Sequence, residues 1–292
     1  MGSFPKLRLA HPAPFSYGVI AMFSVTILAS SSKGNATLVA TNCTRLLVDA
    51  GLSCRRLEDT LRKIGLSPAD LDGILLTHEH SDHASGLPVL LKKYPVPLFC
   101  SPTTYRVISP QLTQPPRWIP VEAGRAIELA DLQMETFPVP HDAYDPVGLL
   151  LRHAQGCFGI VTDLGYVTGL VIERLREARG ILLEANYEME LLQKDPKRPW
   201  SIKQRIISRH GHLSNEAAAE LVAALARAEL REVYLGHLSE DCNDPALAKR
   251  RVMERLGELA AQVKVEVILP SSCPVRVQWG PSHPAVAQDP KL

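Results

Sequence analysis

The chain has 292 residues, 46% hydrophobic and 22% charged, which suits a soluble globular protein with ample core, in one large domain or two small ones. A formal net charge of +1 excludes a polycation that binds nucleic acid by bulk charge and leaves local basic patches open. No apolar run approaches the length that crosses a bilayer. The six cysteines (Cys43, Cys54, Cys100, Cys157, Cys242, Cys273) show no C-x-x-C spacing, so reduced thiols in a cytoplasm are expected.

Residues 1–21 mix basic, proline and aromatic residues without periodicity and read as a disordered leader or upstream extension. A single domain is expected over 22–280, followed by a Pro-rich disordered tail at 281–292. Residues 23–29 alternate and are β-branched, as a strand requires, and a small-residue turn with one cation follows at 30–35. Residues 37–41 and 45–48 read as a hairpin closed by Asp49-Ala50-Gly51, and 57–64 as a short amphipathic helix.

The apolar run 74–77 then stops abruptly at His78-Glu79-His80-Ser81-Asp82-His83, delivering four potential metal ligands within six residues. His78 and His80, two apart, leave extended backbone on the same side. Asp82 is placed like an N-cap and His83 in the first turn of a helix expected to run to Lys93. Two ligand pairs on opposite sides of one tight loop suit two ions better than one. A lone loop histidine is usually solvated and a lone Asp at a helix start is usually a cap; three His and one Asp at this density are far more specific.

Beyond the loop, 97–100, 127–129 and 133–137 read as short strands between Pro-rich turns, and 147–152 with 157–161 as a hairpin. Helices are expected over 168–179, 188–193, 215–227 and 245–262, and strands over 181–185, 232–235, 265–269 and 275–279. Three isolated candidates follow strand ends: His141, Asp163 and His237. Each alone would be a turn or cap residue. His11, His153 and His283 carry no such context.

The H-x-H-x-D-H string resembles the signature of the metallo-β-lactamase superfamily, and the strand-end residues complete that family's pattern in order. The resemblance implies a four-layered αββα sandwich of class α/β. It also implies that His78, His80 and His141 hold one metal, that Asp82, His83 and His237 hold a second, and that Asp163 bridges both. Asp49 would brace the metal loop, and Glu184, with Asn186, would brace ligands or cap a helix. The set contains no thiolate and suits two divalent ions, Zn(II), Mn(II) or Fe(II). Two such ions roughly 3.5–4 Å apart can share a hydroxide nucleophile at neutral pH.

Substrate class hinges on residues 194–215. Six basic residues face one acid between Lys194 and Arg209, with Trp200 and His210 interleaved, as nucleic acid ends require for phosphate attraction and stacking. The bland alternative is a solvated helix face. Ser214 or Asn215 can cap the next helix, whose free N–H groups attract anions, and His212 can donate to a phosphoryl oxygen or protonate a leaving group. This H-x-S element resembles the phosphate-handling histidine of the phosphodiesterase branch. Ser32, Lys33 and Asn35 can meet a phosphate as well, or form a plain Gly turn with a solvated Lys.

Taken with T-D-L-G, E-A-N-Y and G-H-L-S-N, these strings look like the WalJ/YycJ group of bacterial DNA exonucleases. That resemblance implies 5′-to-3′ DNA trimming carried by Asp82, Asp163 and His212, with DNA as the likelier nucleic acid partner and no membrane. A ribonuclease Z-like RNA phosphodiesterase and a glyoxalase II-like thioester or lactone hydrolase are the competing expectations. A metal-stabilised binding protein without turnover is disfavoured by the seven intact ligand positions.

Overall fold

Strand β1 (Phe23–Ala29) shows how the layers arise. Phe23, Val25 and Ile27 join the core between two sheets, while Leu28 and Ala29 enter a second core under the helices. The computed structural model describes residues 22–280; the leader at 1–21 and the tail at 281–292, with His11 and His283, lie outside them. β2 (Ala36–Thr41), β3 (Arg45–Val48), β4 (Gly73–Leu75), β5 (Leu98–Cys100) and β6 (Trp118–Pro120) extend the first sheet. The last strand, β14 (Val275–Trp279), closes its other edge in the order β14-β1-β2-β3-β4-β5-β6.

The second sheet repeats this plan. β7 (Ala126–Leu129), β8 (Leu132–Pro138), β9 (Val147–His153), β10 (Gly156–Val161), β11 (Gly180–Glu184), β12 (Glu232–Gly236) and β13 (Lys264–Val267) lie in the order β13-β12-β11-β10-β9-β8-β7. Phe99, Phe158, Tyr234 and Trp279 fill the space between the sheets. α1 (Cys54–Arg62), α2 (Ser81–Ala84), α3 (Leu87–Lys93) and α4 (Pro102–Ile108) follow strands of the first sheet; Leu57, Leu61, Leu90 and Ile108 bury against it. α5 (Gly169–Leu175), α6 (Met189–Lys194), α7 (Trp200–Ile207), α8 (Asn215–Ala226) and α9 (Pro245–Leu256) belong to the second half. Val171, Val222 and Val252 cover the second sheet's outer face. This is the four-layered αββα sandwich. No helix among the described residues is long and apolar enough to cross a membrane, and none of the six cysteines is in a disulfide.

In each sheet one half is parallel: β3 to β6 in the first, β10 to β13 in the second. Parallel strands end at the same edge, and ligands in such sheets gather outside those carboxyl ends. Asp49 follows β3, Asp163 follows β10 and His237 follows β12 at that edge, with left-handed φ angles of 62°, 58° and 54°. Only Ala130 joins them as a described non-glycine residue with positive φ. Such backbone costs of order 1 kcal/mol or more and persists where surrounding structure enforces it, typically at functional sites.

The helix expected from Ala84 to Lys93 is two helices. Gly86 interrupts it by packing backbone to backbone: its N–H donates to the Ala50 carbonyl (2.8 Å), and a Cβ there would lie 2.1 Å from the Leu52 oxygen. The N-cap reading of Asp82 is corrected too: His80 is the capping residue of α2, and Asp82 sits in its first turn. α4, α7 and β6 were not expected, because Pro102, the 194–205 charge run and Pro120 disguise their periodicity.

Gly51 is packed still more tightly, since a Cβ would fall 1.6 Å from the Asp82 carbonyl oxygen. Gly51→Ala is expected to displace the metal loop, lower stability by about 1–3 kcal/mol, and weaken divalent-metal uptake. Thermal denaturation with and without added metal measures both. A variant as heat-stable as the parent would show that the loop yields freely.

Candidate metal centre

Strand ends and one loop bring together all seven expected ligand residues. His78, His80 and His141 form one cluster and Asp82, His83, Asp163 and His237 a second, donor atoms within each lying within 4.8 Å of one another. His80 Nδ1 stands 3.2 Å from His141 Nε2. In the second cluster His237 Nε2 is 3.2 Å from Asp82 Oδ2, and His83 Nε2 is 2.8 Å from Asp163 Oδ2. Asp163 links the two, with Oδ1 at 3.7 Å from His141 Nε2 and 3.6 Å from His237 Nε2.

On three of these rings the second nitrogen points away from the clusters and is held. Asp49 Oδ2 takes His83 Nδ1 at 2.8 Å, Glu184 Oε1 takes His237 Nδ1 at 2.9 Å, and the Gly211 carbonyl takes His141 Nδ1 at 2.9 Å. Such partners fix tautomer and ring orientation and leave the other nitrogen as a donor to a metal. Thr77 binds Asp49 through both its N–H (2.9 Å) and its hydroxyl, so the brace reaches the loop backbone. Buried His78 Nε2 has no hydrogen-bond partner, which is unusual for a buried polar atom and fits a ligand of a cation.

Electrostatics divides the clusters. Burial, with His83 beside it, holds His78 well below the ordinary imidazole range, and burial also lowers His141. Burial opposes charge on His83 and His237 too, but carboxylates outweigh it. Asp49 and Asp163 hold His83 well above its usual value; Asp163, Asp82 and Glu184 lift His237 to about 10. Against burial, His237 and His83 hold Asp163 well below the carboxylate range. These carboxylates can balance either imidazole protons or a divalent cation, so metal uptake here is coupled to proton release.

A model of the beta-lactamase superfamily domain matches residues 44–238. The chain belongs to the β-lactamase superfamily. Its His/Asp clusters suit a divalent metal centre and fit a metallohydrolase. The chain is 36% identical over 84% of its length to exodeoxyribonuclease WalJ of Streptococcus pneumoniae, covering 92% of that protein. Identity is also 36% to exodeoxyribonuclease YycJ of Bacillus anthracis, over 80% of this chain and 89% of the relative. Among solved structures, the metallo-β-lactamase fold protein YhfI from Bacillus subtilis superposes with a TM-score of 0.67 at 14% identity, covering 89% of this chain and all of that one.

Within this superfamily member, the expected phosphate contacts divide. His212 lies beside the second cluster, its Nδ1 2.7 Å from Glu184 Oε1 and 3.5 Å from Asp163 Oδ1. Ser214 caps α8, its hydroxyl accepting from Ala217 N–H. Asn215 faces inward instead, its amide bound to Glu188 and Asn243 and its side chain buried. Asn35 is buried under the metal loop: its N–H donates to the Asp82 carbonyl (2.8 Å) and its amide lies 3.0 Å from His83 Nε2. Ser32 is exposed, and Lys33 pairs with Glu240 across the mouth at 2.5 Å. The 30–35 turn thus buttresses the loop, Ser30 Oγ accepting the His237 N–H at 3.0 Å. Ser30 is a brace with little local signal, being one serine in a run of three.

The reading of 194–209 as a cationic face is corrected. Lys203 is buried and donates to the carbonyls of Gln193 and Asp195. Arg198 pairs with Asp195 and Asp241, Lys197 with Asp241, Arg205 with Asp142 and Lys194 with Glu190. Four of the six cations counted along the sequence are thus paired with acids, three of them with Asp142 or Asp241 from other loops. Glu184 Oε1 meets Nδ1 of both His237 and His212, and Asn186 donates to the His237 carbonyl at 2.9 Å.

Proposed function

We propose that this chain is a two-metal phosphodiesterase that trims DNA in the 5′-to-3′ direction in the cytoplasm. The observation that carries this reading is its 36% identity, over 92% of the relative's length, to a protein named exodeoxyribonuclease WalJ. The convergent donor set supports it, as does His212 beside that set. Exposed Tyr144 adds support: its N–H is held by Glu79 of the metal loop at 2.9 Å, and exposed aromatics stack bases without sequence preference.

In this reading His78, His80 and His141 hold one ion, Asp82, His83 and His237 the other, and Asp163 serves both. Zn(II) and Mn(II) are the metals proposed, and Fe(II) also suits the imidazole–carboxylate set. Divalent ions at such a centre polarise a phosphoryl oxygen and lower the pKa of water. The protein's own contribution is orientation and proton handling. Glu184 holds His212 by Nδ1, which leaves Nε2 to donate to a phosphoryl oxygen or to the leaving oxygen. Burial opposes a proton on His212, and Glu184 and then Asp163 favour it strongly enough to raise its affinity for one.

The test is a substrate panel: 5′-labelled single-stranded and duplex DNA, RNA, a bis-aryl phosphodiester and a thioester, each with Mn(II) and Zn(II). Cleavage of DNA in preference to RNA is expected. RNA preference would move the chain to the ribonuclease Z-like alternative. Thioester hydrolysis without nucleolysis would establish the glyoxalase II-like one, against which the basic stretch no longer argues.

A further inference from the structure

Of the six cations between Lys194 and Arg209, five are tied to carboxylates or backbone carbonyls. Arg209 has no such partner among the described residues. It is exposed, yet it is not left loose: its guanidinium lies over the ring of Tyr166, the Cζ 4.1 Å from the centroid. Both residues belong to loops that carry the metal centre. Tyr166 is three residues beyond Asp163 and Arg209 three before His212.

The two loops are locked together at the backbone. A Cβ on Gly165 would lie 2.3 Å from the Arg209 carbonyl oxygen, and Gly165 N–H donates to the Pro140 carbonyl next to His141 (2.8 Å). Gly211 N–H returns to the Ser208 carbonyl (2.9 Å), while the Gly211 carbonyl accepts from His141 Nδ1 (2.9 Å). The Arg209 main chain is therefore fixed relative to His141, Asp163 and His212, and its side chain is fixed against an aromatic face. A guanidinium stacked in this way keeps its planar fork of N–H donors free at its edge. Its side-chain ordering is already done in the free protein, so little of that cost falls on binding.

Resting on the nuclease reading above, we infer that Arg209, held flat by Tyr166, clamps a phosphodiester adjoining the one that is cut. An unpaired, pre-oriented guanidinium matches the two non-bridging oxygens of a phosphate. Lys33, Lys197 and Arg205 are each paired with a carboxylate, so Arg209 sets where the backbone of the strand lies. Tyr166 is a positioning residue acting through Arg209.

Initial-rate kinetics on single-stranded DNA over a range of salt concentrations tests the clamp. Arg209→Ala is expected to raise KM at low salt ~10-fold or more, as loss of hydrogen bonds to a charged group implies, with a much smaller change in kcat. It should also flatten the dependence of log KM on log salt by roughly 0.7, the contribution of one phosphate on a single strand. Arg209→Lys should recover only part of the loss, Tyr166→Phe should behave like the parent, and Tyr166→Ala should move KM toward the Arg209→Ala value. Parental KM and salt slope in an Arg209→Ala enzyme that still degrades DNA would overturn the clamp and leave the nuclease reading standing. A parent protein that degrades no nucleic acid would remove both together.

Discussion

Alanine in place of His212 is expected to lower turnover on DNA by about 10²–10⁴-fold, the usual contribution of a positioned proton donor, with metal content unchanged. The argument is geometric. His212 shares a third donor group with Asp163, Glu184 and His237, but its Nδ1 is engaged by Glu184 at 2.7 Å and its side chain is a quarter exposed, which sets it apart from the seven proposed ligands. Asp163→Ala should behave differently, losing metal and turnover together. Its two oxygens reach His83 at 2.8 Å, His237 at 3.6 Å and His141 at 3.7 Å, so both clusters lose a shared member. Elemental analysis beside steady-state kinetics separates the two. Metal lost from His212→Ala would make that residue a ligand, and undiminished DNA cleavage by it would end its phosphate role.

Glu184 carries the second large effect. It is fully buried and serves four donors: His212 Nδ1 and His237 Nδ1 on Oε1, and the N–H groups of Leu164 (2.8 Å) and Leu213 (3.1 Å) on Oε2. Glu184→Ala leaves all four without this acceptor and removes the charge that balances two imidazoles. A loss of about 3–5 kcal/mol is expected, as for breaking one side of a buried ionic cluster. Glu184→Gln keeps one acceptor oxygen but sets an NH₂ against a donor, and should fall between. Burial raises the pKa of this carboxyl, but His212 and His237 outweigh it and hold the pKa below the ordinary value. Its stabilisation is therefore present above the ordinary carboxylate pKa of roughly 4.3 and is lost as acid protonates the folded state. Urea denaturation at neutral and acid pH measures both effects. A Glu184→Ala protein within about 0.5 kcal/mol of the parent at neutral pH would remove Glu184 from this role.

The seven residues that the fold gathers into two clusters were legible because their signal is local. His78, His80, Asp82 and His83 sit in one six-residue stretch, and His141, Asp163 and His237 each end an apolar run. Asp49 and Glu184 were legible as carboxylates closing strands, although only the fold shows Glu184 shared between His237 and His212. The substrate side was read less well. Asn35 and Asn215 are polar side chains beside a candidate anion site, yet both are buried in hydrogen bonds to the protein itself. Arg205 and Lys197 looked like free cations because their counterions, Asp142 and Asp241, lie more than forty residues away along the chain.

Residue chemistry and strand periodicity were enough to name the imidazoles and carboxylates and the αββα layers that present them, because both are properties of short segments. Three matters needed the folded chain: which nitrogen of each histidine faces inward, which cations keep their charge unpaired, and which strand ends take left-handed backbone to turn Asp49, Asp163 and His237 toward one edge. Each is settled by a contact between segments far apart in the chain, and a pairing of that kind leaves no trace in local composition or spacing.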